Sequence, residues 1–195
     1  MREATDGELV IQAQAGDAEA FGELVKRHVR GVYAVAYAFS QDHADADDLA
    51  QEAFIEAYRS IGSFGARSTF RTWVYRIAAN ISANYLKRKA PVVQPLDDAV
   101  STEDPALSSQ SGRFSPLEAA GLSEFEELVA GLMAGLPLNL RVALHLVVNE
   151  GLSHKEAAEA LRCPERTVAW RVFRARQVLW VRLSESLDGR MEQKP

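Results

Sequence analysis

Residues 62–89 read GSFGARSTFRTWVYRIAANISANYLKRK and contain six Lys or Arg and no Asp or Glu. Aromatic rings and amides are interleaved with these positive charges. The whole chain has a net charge of -5, so this segment concentrates positive charge against the overall balance. A basic, aromatic-rich segment in an acidic protein is typical of a surface that binds a polyanion such as nucleic acid.

Charge also alternates along the rest of the chain. Residues 1–61 carry 5 Lys or Arg against 12 Asp or Glu, residues 91–127 carry 1 against 8, and residues 128–183 carry 8 against 4. Segments that alternate between acidic and basic predict more than one partner surface.

The composition excludes several classes of protein. The chain has 195 residues, 47% of them hydrophobic, which is enough for one mid-sized or two small domains. Its single cysteine excludes a disulfide framework and a zinc site built from cysteines. No apolar run is long enough to span a bilayer, and the first residues, MREATDGELV, lack the apolar core of a signal peptide. We therefore expect a soluble, cytoplasmic protein without direct membrane insertion.

Helical periodicity dominates the pattern of apolar residues, and strand-like alternation is nearly absent. The sequence therefore predicts an all-α fold: two small helical domains joined by a flexible acidic linker, the second containing a helix-turn-helix. The first four helices are predicted at about 6–15, from Asp17 onward, at 44–60 and at 69–89, with Leu49, Phe54 and Ile55 buried in the third. We expect an N-terminal domain at 1–90, a linker at 91–114, a C-terminal domain at 115–187 that opens with a capping box at 115–118, and a tail at 188–195.

The helix-turn-helix is predicted at residues 152–183. Ser153 and Glu156 have the spacing of a capping box, and Pro164 is well placed to start the next helix. That helix carries one apolar face and one unusual face. The first holds Val168, Val172, Ala175 and Leu179; the second holds Arg166, Trp170, Phe173, Arg174 and Gln177. The second face either packs on a neighbouring helix or enters a DNA major groove, and the arginines favour the groove.

The basic segment places different chemistry on two sides of one helix. Phe70, Val74, Ile77 and Ile81 are predicted to form its buried stripe. An adjacent flank is predicted to carry Trp73, Arg76, Asn80, Asn84 and Lys87. Amides and cations beside a large ring suit contacts with bases and phosphates. The alternative is a solvated basic helix with Trp73 partly tucked into the core. The flexible residues 63–68 suit a loop that accepts a flipped base.

The acidic residues 42–48 do not predict a metal site. Carboxylates near a helix start are explained by capping and the helix dipole, and neither an EF-hand spacing nor a paired-histidine motif is present. A solvated face or a docking surface for a basic protein is expected instead. The four histidines are scattered, and no catalytic triad or phosphate-binding loop is visible. We therefore expect no metal, no cofactor and no enzymatic activity.

With these features established, the chain resembles the extracytoplasmic-function (ECF) sigma factors, small bacterial members of the sigma-70 superfamily. The resemblance rests on an ordered set of five segments that covers nearly the whole chain: AGDAEAFGELVKRH (15–28), DADDLAQEAFIEAY (45–58), SFGARSTFRTWVYRIAANISANYLKRK (63–89), LPLNLRVALHLVVNEGLSHKEAAEAL (136–161) and ERTVAWRVFRARQVL (165–179).

The resemblance implies a role for each segment. Asp48, Gln51 and Glu52 would dock on the beta-prime clamp of core RNA polymerase, with the beta flap as a second contact. The minus-ten promoter element would be recognised and opened through Phe64, Trp73, Arg76, Asn80, Asn84 and Lys87. The minus-thirty-five element would be read through Arg166, Thr167, Trp170, Arg171, Phe173 and Arg174. The linker would follow the polymerase channels, and an anti-sigma factor would be the expected regulator.

Two departures and two alternatives accompany this resemblance. Gly65 and Ala66 stand where family members usually carry Arg directly after the loop Phe. Ala169 and Trp170 stand where many carry a basic or polar residue and a Ser. Both changes bear on which bases are preferred. A stand-alone helix-turn-helix regulator would explain residues 152–183 but neither the basic helix nor the acidic one. An enzyme is the third class, for which only the unplaced carboxylates argue.

Overall fold

The structure, a computed structural model, describes residues 4–89 and 124–191, with the side chains of 124–127 and 187–191 left out of the description. All regular secondary structure in these ranges is helical, as the sequence predicts. The helices are α1 (Asp6–Gln14), α2 (Ala18–Ser40), α3 (His43–Ser60), α4 (Phe70–Lys89), α5 (Glu124–Ala134), α6 (Leu138–Leu144), α7 (His154–Leu161) and α8 (Glu165–Met191). None of these helices combines the length and the apolar character needed to cross a membrane.

The predicted domain boundaries fall largely on residues outside the description. The linker at 91–114 and the capping box at 115–118 both lie there, so the division into domains stays a prediction. Helix α8 continues to Met191, past residue 187, where the second domain was expected to end.

Local signals in the sequence set where most helices begin. Asp17 accepts hydrogen bonds from the backbone N–H groups of Glu19 and Ala20 and so starts α2. Ser153 and Glu156 form the predicted reciprocal capping box at the start of α7. Between α1 and α2 the chain turns at Gly16, whose φ of 98° is accessible to glycine at little cost.

The N-terminal half is built around α2, which packs against α1, α3 and α4. The fully buried side chains of this half include Leu24, Val32 and Val35 of α2 and Val74 of α4. The prediction that Ile55 is buried is wrong: its side chain is 51% exposed. The buried stripe of α3 runs through Leu49, Ala53 and Ala57, and residue 55, two helical steps or about 200° beyond Ala53, lies on the opposite side.

The C-terminal half contains the predicted helix-turn-helix. Helix α8 packs against both α6 and α7, and Leu146 and Val168 are fully buried in this half. The turn between α7 and α8 begins at Arg162, which adopts a left-handed conformation with φ of 51°. The predicted apolar face of α8 is confirmed, because Val168, Val172 and Ala175 are buried and Leu179 is half-buried.

The two halves pack directly against each other, chiefly through α4 on α7 and α2 on α6. The Tyr75 hydroxyl donates a hydrogen bond of 2.6 Å to the Glu150 carboxylate, and Arg71 donates to the Glu150 carbonyl at 3.3 Å. This contact requires glycine at position 31. A Cβ there would lie 1.8 Å from the Tyr75 hydroxyl oxygen and 2.7 Å from Glu150 Oε2.

The hydrogen bond between Tyr75 and Glu150 and the surroundings of the two side chains shift the pKa of both groups. Burial, with help from the bond to Glu150, raises the pKa of the Tyr75 hydroxyl. The pKa of the Glu150 carboxyl is lowered, first by His145, whose Nε2 lies 3.5 Å from Oε1, and then by the Tyr75 hydroxyl, while burial opposes them. The contact therefore favours the ionised carboxylate.

A half-buried arginine makes a further polar contact between the halves. Arg141 Nε donates to the Ala38 carbonyl at 2.8 Å, while Nη1 donates to the carbonyls of Ala134 and Leu136 within its own half. Burial lowers the pKa of the guanidinium to about 10, so it remains protonated at neutral pH.

Replacing Gly31 with alanine should destabilise the protein, because Cβ would displace the Tyr75 ring from Glu150. We expect Gly31→Ala to reduce the free energy of unfolding by about 1–3 kcal/mol, measured by urea denaturation followed by circular dichroism. Gly22→Ala is the matched control: it lies on the same helix with nothing within 4 Å of its Cβ. Helix propensity should make that variant more stable by roughly 0.5–1 kcal/mol. Equal effects at the two positions would contradict the close approach at Gly31.

The lowered pKa of Glu150 predicts how this contact depends on pH. A carboxyl whose pKa is depressed on folding stabilises the fold above its ordinary pKa, about 4.3, and loses this effect as pH falls through the folded value. The difference in unfolding free energy between the wild type and Glu150→Gln should therefore narrow as the pH falls below about 4. A difference that stays constant down to pH 3 would show that the Glu150 charge does not stabilise the contact.

Candidate nucleic-acid interface

The amide-bearing flank of α4 faces the helix-turn-helix. Asn80, Asn84 and Lys87 line a cleft of about 450 Å³ together with Phe39, Ala79, Ala83, Ala160, Leu161 and Arg162. Asn84 and Lys87 are exposed, while Arg76 and Asn80 are half-buried. The structure thus brings together three of the residues predicted for this flank and places Arg162, at the helix-turn-helix turn, across from them.

Trp73 does not belong to that flank. The expectation that it lies among exposed amides is wrong, because its side chain is only 6% exposed. Its ring packs on Phe64 at 5.0 Å and on Phe70 at 5.7 Å between centroids. Phe64 is itself 8% exposed, so it anchors the loop to α4 rather than extending from it. The alternative interpretation, with Trp73 in the core, is the better description.

The segment between α3 and α4 is held at both ends and exposed in the middle. A 3₁₀ turn covers Ile61–Ser63, and Gln14 Nε2 donates to the carbonyls of Ile61 and Phe64, each at 2.9 Å. At the other end, Thr69 Oγ1 accepts a hydrogen bond from the backbone N–H of Thr72. Gly65, Ala66 and Arg67 between these points are exposed. We call residues 65–68 the loop tip.

The six cations of the basic segment are used in two ways. Arg71 donates a hydrogen bond to the Glu150 carbonyl. Lys89 Nζ contacts Asp45 Oδ2 at 2.7 Å and lies over the Tyr85 ring. The contact with Asp45 raises the pKa of Lys89, and Lys89 in turn lowers the pKa of Asp45. The other four cations of the segment, Arg67, Arg76, Lys87 and Arg88, form no ion pair with another described residue.

The acidic helix presents a surface that is partly apolar. Asp48, Gln51 and Glu52 are all exposed on one side of α3. Ile55, 51% exposed, and Tyr58, 50% exposed, continue the same side at helical steps. The sequence analysis assigned Ile55 to the core and did not single out Tyr58, so it missed this apolar part of the surface. Among the described residues, no group of three or more acidic, histidine or cysteine side chains is arranged to hold a metal ion.

Helix α8 divides its predicted DNA-contacting residues between two faces. Arg166 is exposed, as are Trp170 at 43% and Phe173 at 61%, and Arg174 is half-buried. Thr167 and Arg171 are buried at 8% and 3%. They lie on the same side as Ala175, each one helical turn from the next, and therefore face the core. Trp180, at 74% exposure, continues the outer face toward the C-terminus.

Two family models match the chain where these surfaces lie. The model for sigma-70 region 2 matches residues 24–91, and the model for sigma-70 region 4 matches residues 126–179. The chain is also 38% identical over 178 residues to the RNA polymerase sigma-H factor of Pseudomonas aeruginosa, covering 89% of this chain and 91% of that protein. It is 38% identical over 177 residues to the ECF RNA polymerase sigma-E factor of Escherichia coli K12, covering 90% of this chain and 92% of that protein.

Solved structures agree with these sequence matches. CnrH, in complex with the cytosolic domain of CnrY, aligns with a TM-score of 0.66 and 26% identity, covering 91% of this chain and 96% of that one. The sigma factor RpoE, in complex with the anti-sigma factor NepR from Bartonella quintana, shares the fold with a TM-score of 0.63 and 23% identity, covering 86% of this chain and 98% of that one. The chain therefore belongs to the ECF sigma factors and is an alternative RNA polymerase sigma factor.

Proposed function

We propose that this sigma factor acts in the cytoplasm by binding alone, without covalent chemistry, through three separate surfaces. One docks on core polymerase, one captures and opens the minus-ten element, and one reads the minus-thirty-five element. The observation that carries the proposal is the chemical difference between the surfaces: acidic and apolar on α3, amide and cationic on α4, aromatic and arginine-bearing on α8. A stand-alone regulator would leave the first two unexplained.

The core-docking surface comprises Asp48, Gln51 and Glu52 with Ile55 and Tyr58 beside them. The exposed carboxylates suit a basic partner and would steer its approach, while the two apolar side chains supply area to bury on binding. We assign this surface to the beta-prime clamp. The beta flap would contact the C-terminal half.

The minus-ten surface combines the loop tip with the exposed side of α4. Asn80 and Asn84 offer donors and acceptors to base edges, and Arg76 and Lys87 offer charge to phosphates. Separating stacked bases costs a few kcal/mol per step, and capturing an unpaired base returns about 1–3 kcal/mol. Phe64 and Trp73 act from below, as a rigid apolar floor under the loop.

The minus-thirty-five surface is the outer face at the start of α8. Arg166 and Arg174 are suited to guanine edges and phosphates, and Trp170 and Phe173 to thymine methyl groups. Thr167 and Arg171 are left out of this set because they are buried. Helix α7, which packs across α8, would lie against the DNA backbone as the first helix of such motifs does.

Promoter binding requires the two halves to move apart. The cleft between Asn84 and Arg162 has the volume of a small-ligand pocket, which is too small for a strand of several nucleotides. The sigma factor RpoE of Bartonella quintana, which shares this fold, was solved in complex with the anti-sigma factor NepR. We therefore propose that an anti-sigma factor regulates this protein by holding the halves in the packed arrangement.

Reversing one charge on α3 should disrupt polymerase binding. We expect Asp48→Lys to weaken the affinity for core RNA polymerase at least about tenfold, measured by fluorescence titration of labelled protein. Glu19→Lys changes the net charge equally at an exposed site on α2, outside the proposed polymerase contacts, and should bind like the wild type. Wild-type affinity of Asp48→Lys would refute the assignment of α3 to docking.

The two exposed tryptophans of α8 should behave differently. Trp170→Ala should reduce the discrimination between minus-thirty-five sequences by roughly 5–150-fold, the equivalent of losing about 1–3 kcal/mol at one base pair. Trp180→Ala should leave that preference unchanged, since Trp180 lies about 15 Å further along the helix at 1.5 Å per residue. Run-off transcription from a promoter library provides both measurements. Equal loss of preference in both variants would argue against base reading by Trp170.

A further inference from the structure

Gln14, the last residue of α1, connects that helix to the loop before α4. Its Nε2 atom donates to the carbonyls of Ile61 and Phe64, each at 2.9 Å and across 47 and 50 residues of sequence. The residue lies outside the segment matched by sigma-70 region 2, which begins at residue 24. None of the three surfaces described above includes it.

Both hydrogen atoms of the Gln14 amide are used in this contact. A side-chain amide has two N–H donors, and here each serves a different carbonyl. Ile61 is the first residue of the 3₁₀ turn, and Phe64 is the residue directly after the turn. The Phe64 N–H also donates to the Ile61 carbonyl at 3.0 Å, which closes the turn. One side chain therefore fixes the turn through which the chain enters the loop.

Helix α1 provides a firm base for this contact. Its residues Leu9, Val10 and Ala13 are buried against the core of the N-terminal half. At its first turn, Asp6 contacts His28 Nε2 at 2.6 Å and accepts a hydrogen bond from Arg27 at 3.1 Å. With α1 fixed on α2 at its start and along one face, the position of Gln14 at its end is determined.

The loop tip depends on its fixed ends. Among the described residues, 65–68 take part in no hydrogen bond. Ala66 nevertheless adopts a φ of 51°, a left-handed conformation that is unfavourable for a residue with a Cβ. Such a conformation persists when the surrounding structure imposes it. The surroundings here are the turn held by Gln14 on one side and the start of α4, capped by Thr69, on the other.

We propose that Gln14 is a positioning residue for minus-ten recognition: by holding the Ile61 and Phe64 carbonyls, it sets the direction in which the loop tip presents Ala66 and Arg67 to the bases. This inference rests on the proposed function of the loop. It makes α1 part of the specificity apparatus although α1 touches no DNA.

The test compares four substitutions, two at Gln14 and one each at Gln12 and Arg67, in run-off transcription with core polymerase and a promoter library randomised in both elements. Gln14→Glu keeps the shape of the side chain but turns an oxygen toward the two carbonyls, and Gln14→Met removes the donors. We expect both to change the base preference within the minus-ten element by about threefold to tenfold, with Gln14→Glu the larger effect. The minus-thirty-five preference and the affinity for core polymerase should not change. Gln12→Met, exposed on the same helix, should match the wild type.

Arg67→Ala separates failure of the inference from failure of the proposed loop function. If Arg67→Ala changes the minus-ten preference and both Gln14 variants keep it, the inference is overturned and the loop function stands. If none of the three changes it, the loop function fails and the inference with it. A uniform loss of activity on all promoters in the Gln14 variants also overturns the inference, since it indicates a structural role only. Thermal unfolding of each variant confirms that the compared proteins are folded.

Discussion

The double packing of α4 is the constraint on which the rest of the structure depends. The helix contributes Val74 and Trp73 to the core of the N-terminal half and at the same time packs against α7 of the other half. Tyr75 reaches Glu150 only because position 31 has no side chain. A helix buried on two sides retains a narrow exposed strip, and that strip holds the amides proposed to contact DNA.

The small exposed area left on α4 explains how charge is distributed on the basic segment. Arg71 and Lys89 lie where α4 meets another element, and each is engaged by that element. The other cations of the segment form no ion pair with described residues, and they are the ones that we propose to contact DNA. The high density of positive charge that first identified the segment thus comprises two kinds of residue. One kind holds the fold together, and the other is the kind that, in our proposal, attracts an acidic protein to DNA.

Features that depend on interactions between residues close in sequence could be predicted from the sequence. Helix starts at Asp17 and Ser153 and the apolar face of α8 follow from neighbours a few residues away, and the structure confirms them. The side on which a residue lies was harder to predict, because it depends on which elements pack around the helix. Trp73 faces an aromatic neighbour from the loop, and Ile55 lies off the stripe that α2 and α4 cover. Gln14 gave no signal in the sequence, since both of its partners are about 50 residues distant.

The hydrogen bonds of Arg141 bear on how the two halves can part. Two of its three carbonyl partners, Ala134 and Leu136, belong to its own half, and only Ala38 lies across the boundary. Separation would remove the contact with Ala38 and leave the guanidinium bonded to the two carbonyls of its own half. The charge would then meet water while still held by these two bonds, so parting the halves would not leave it as an unpaired buried group.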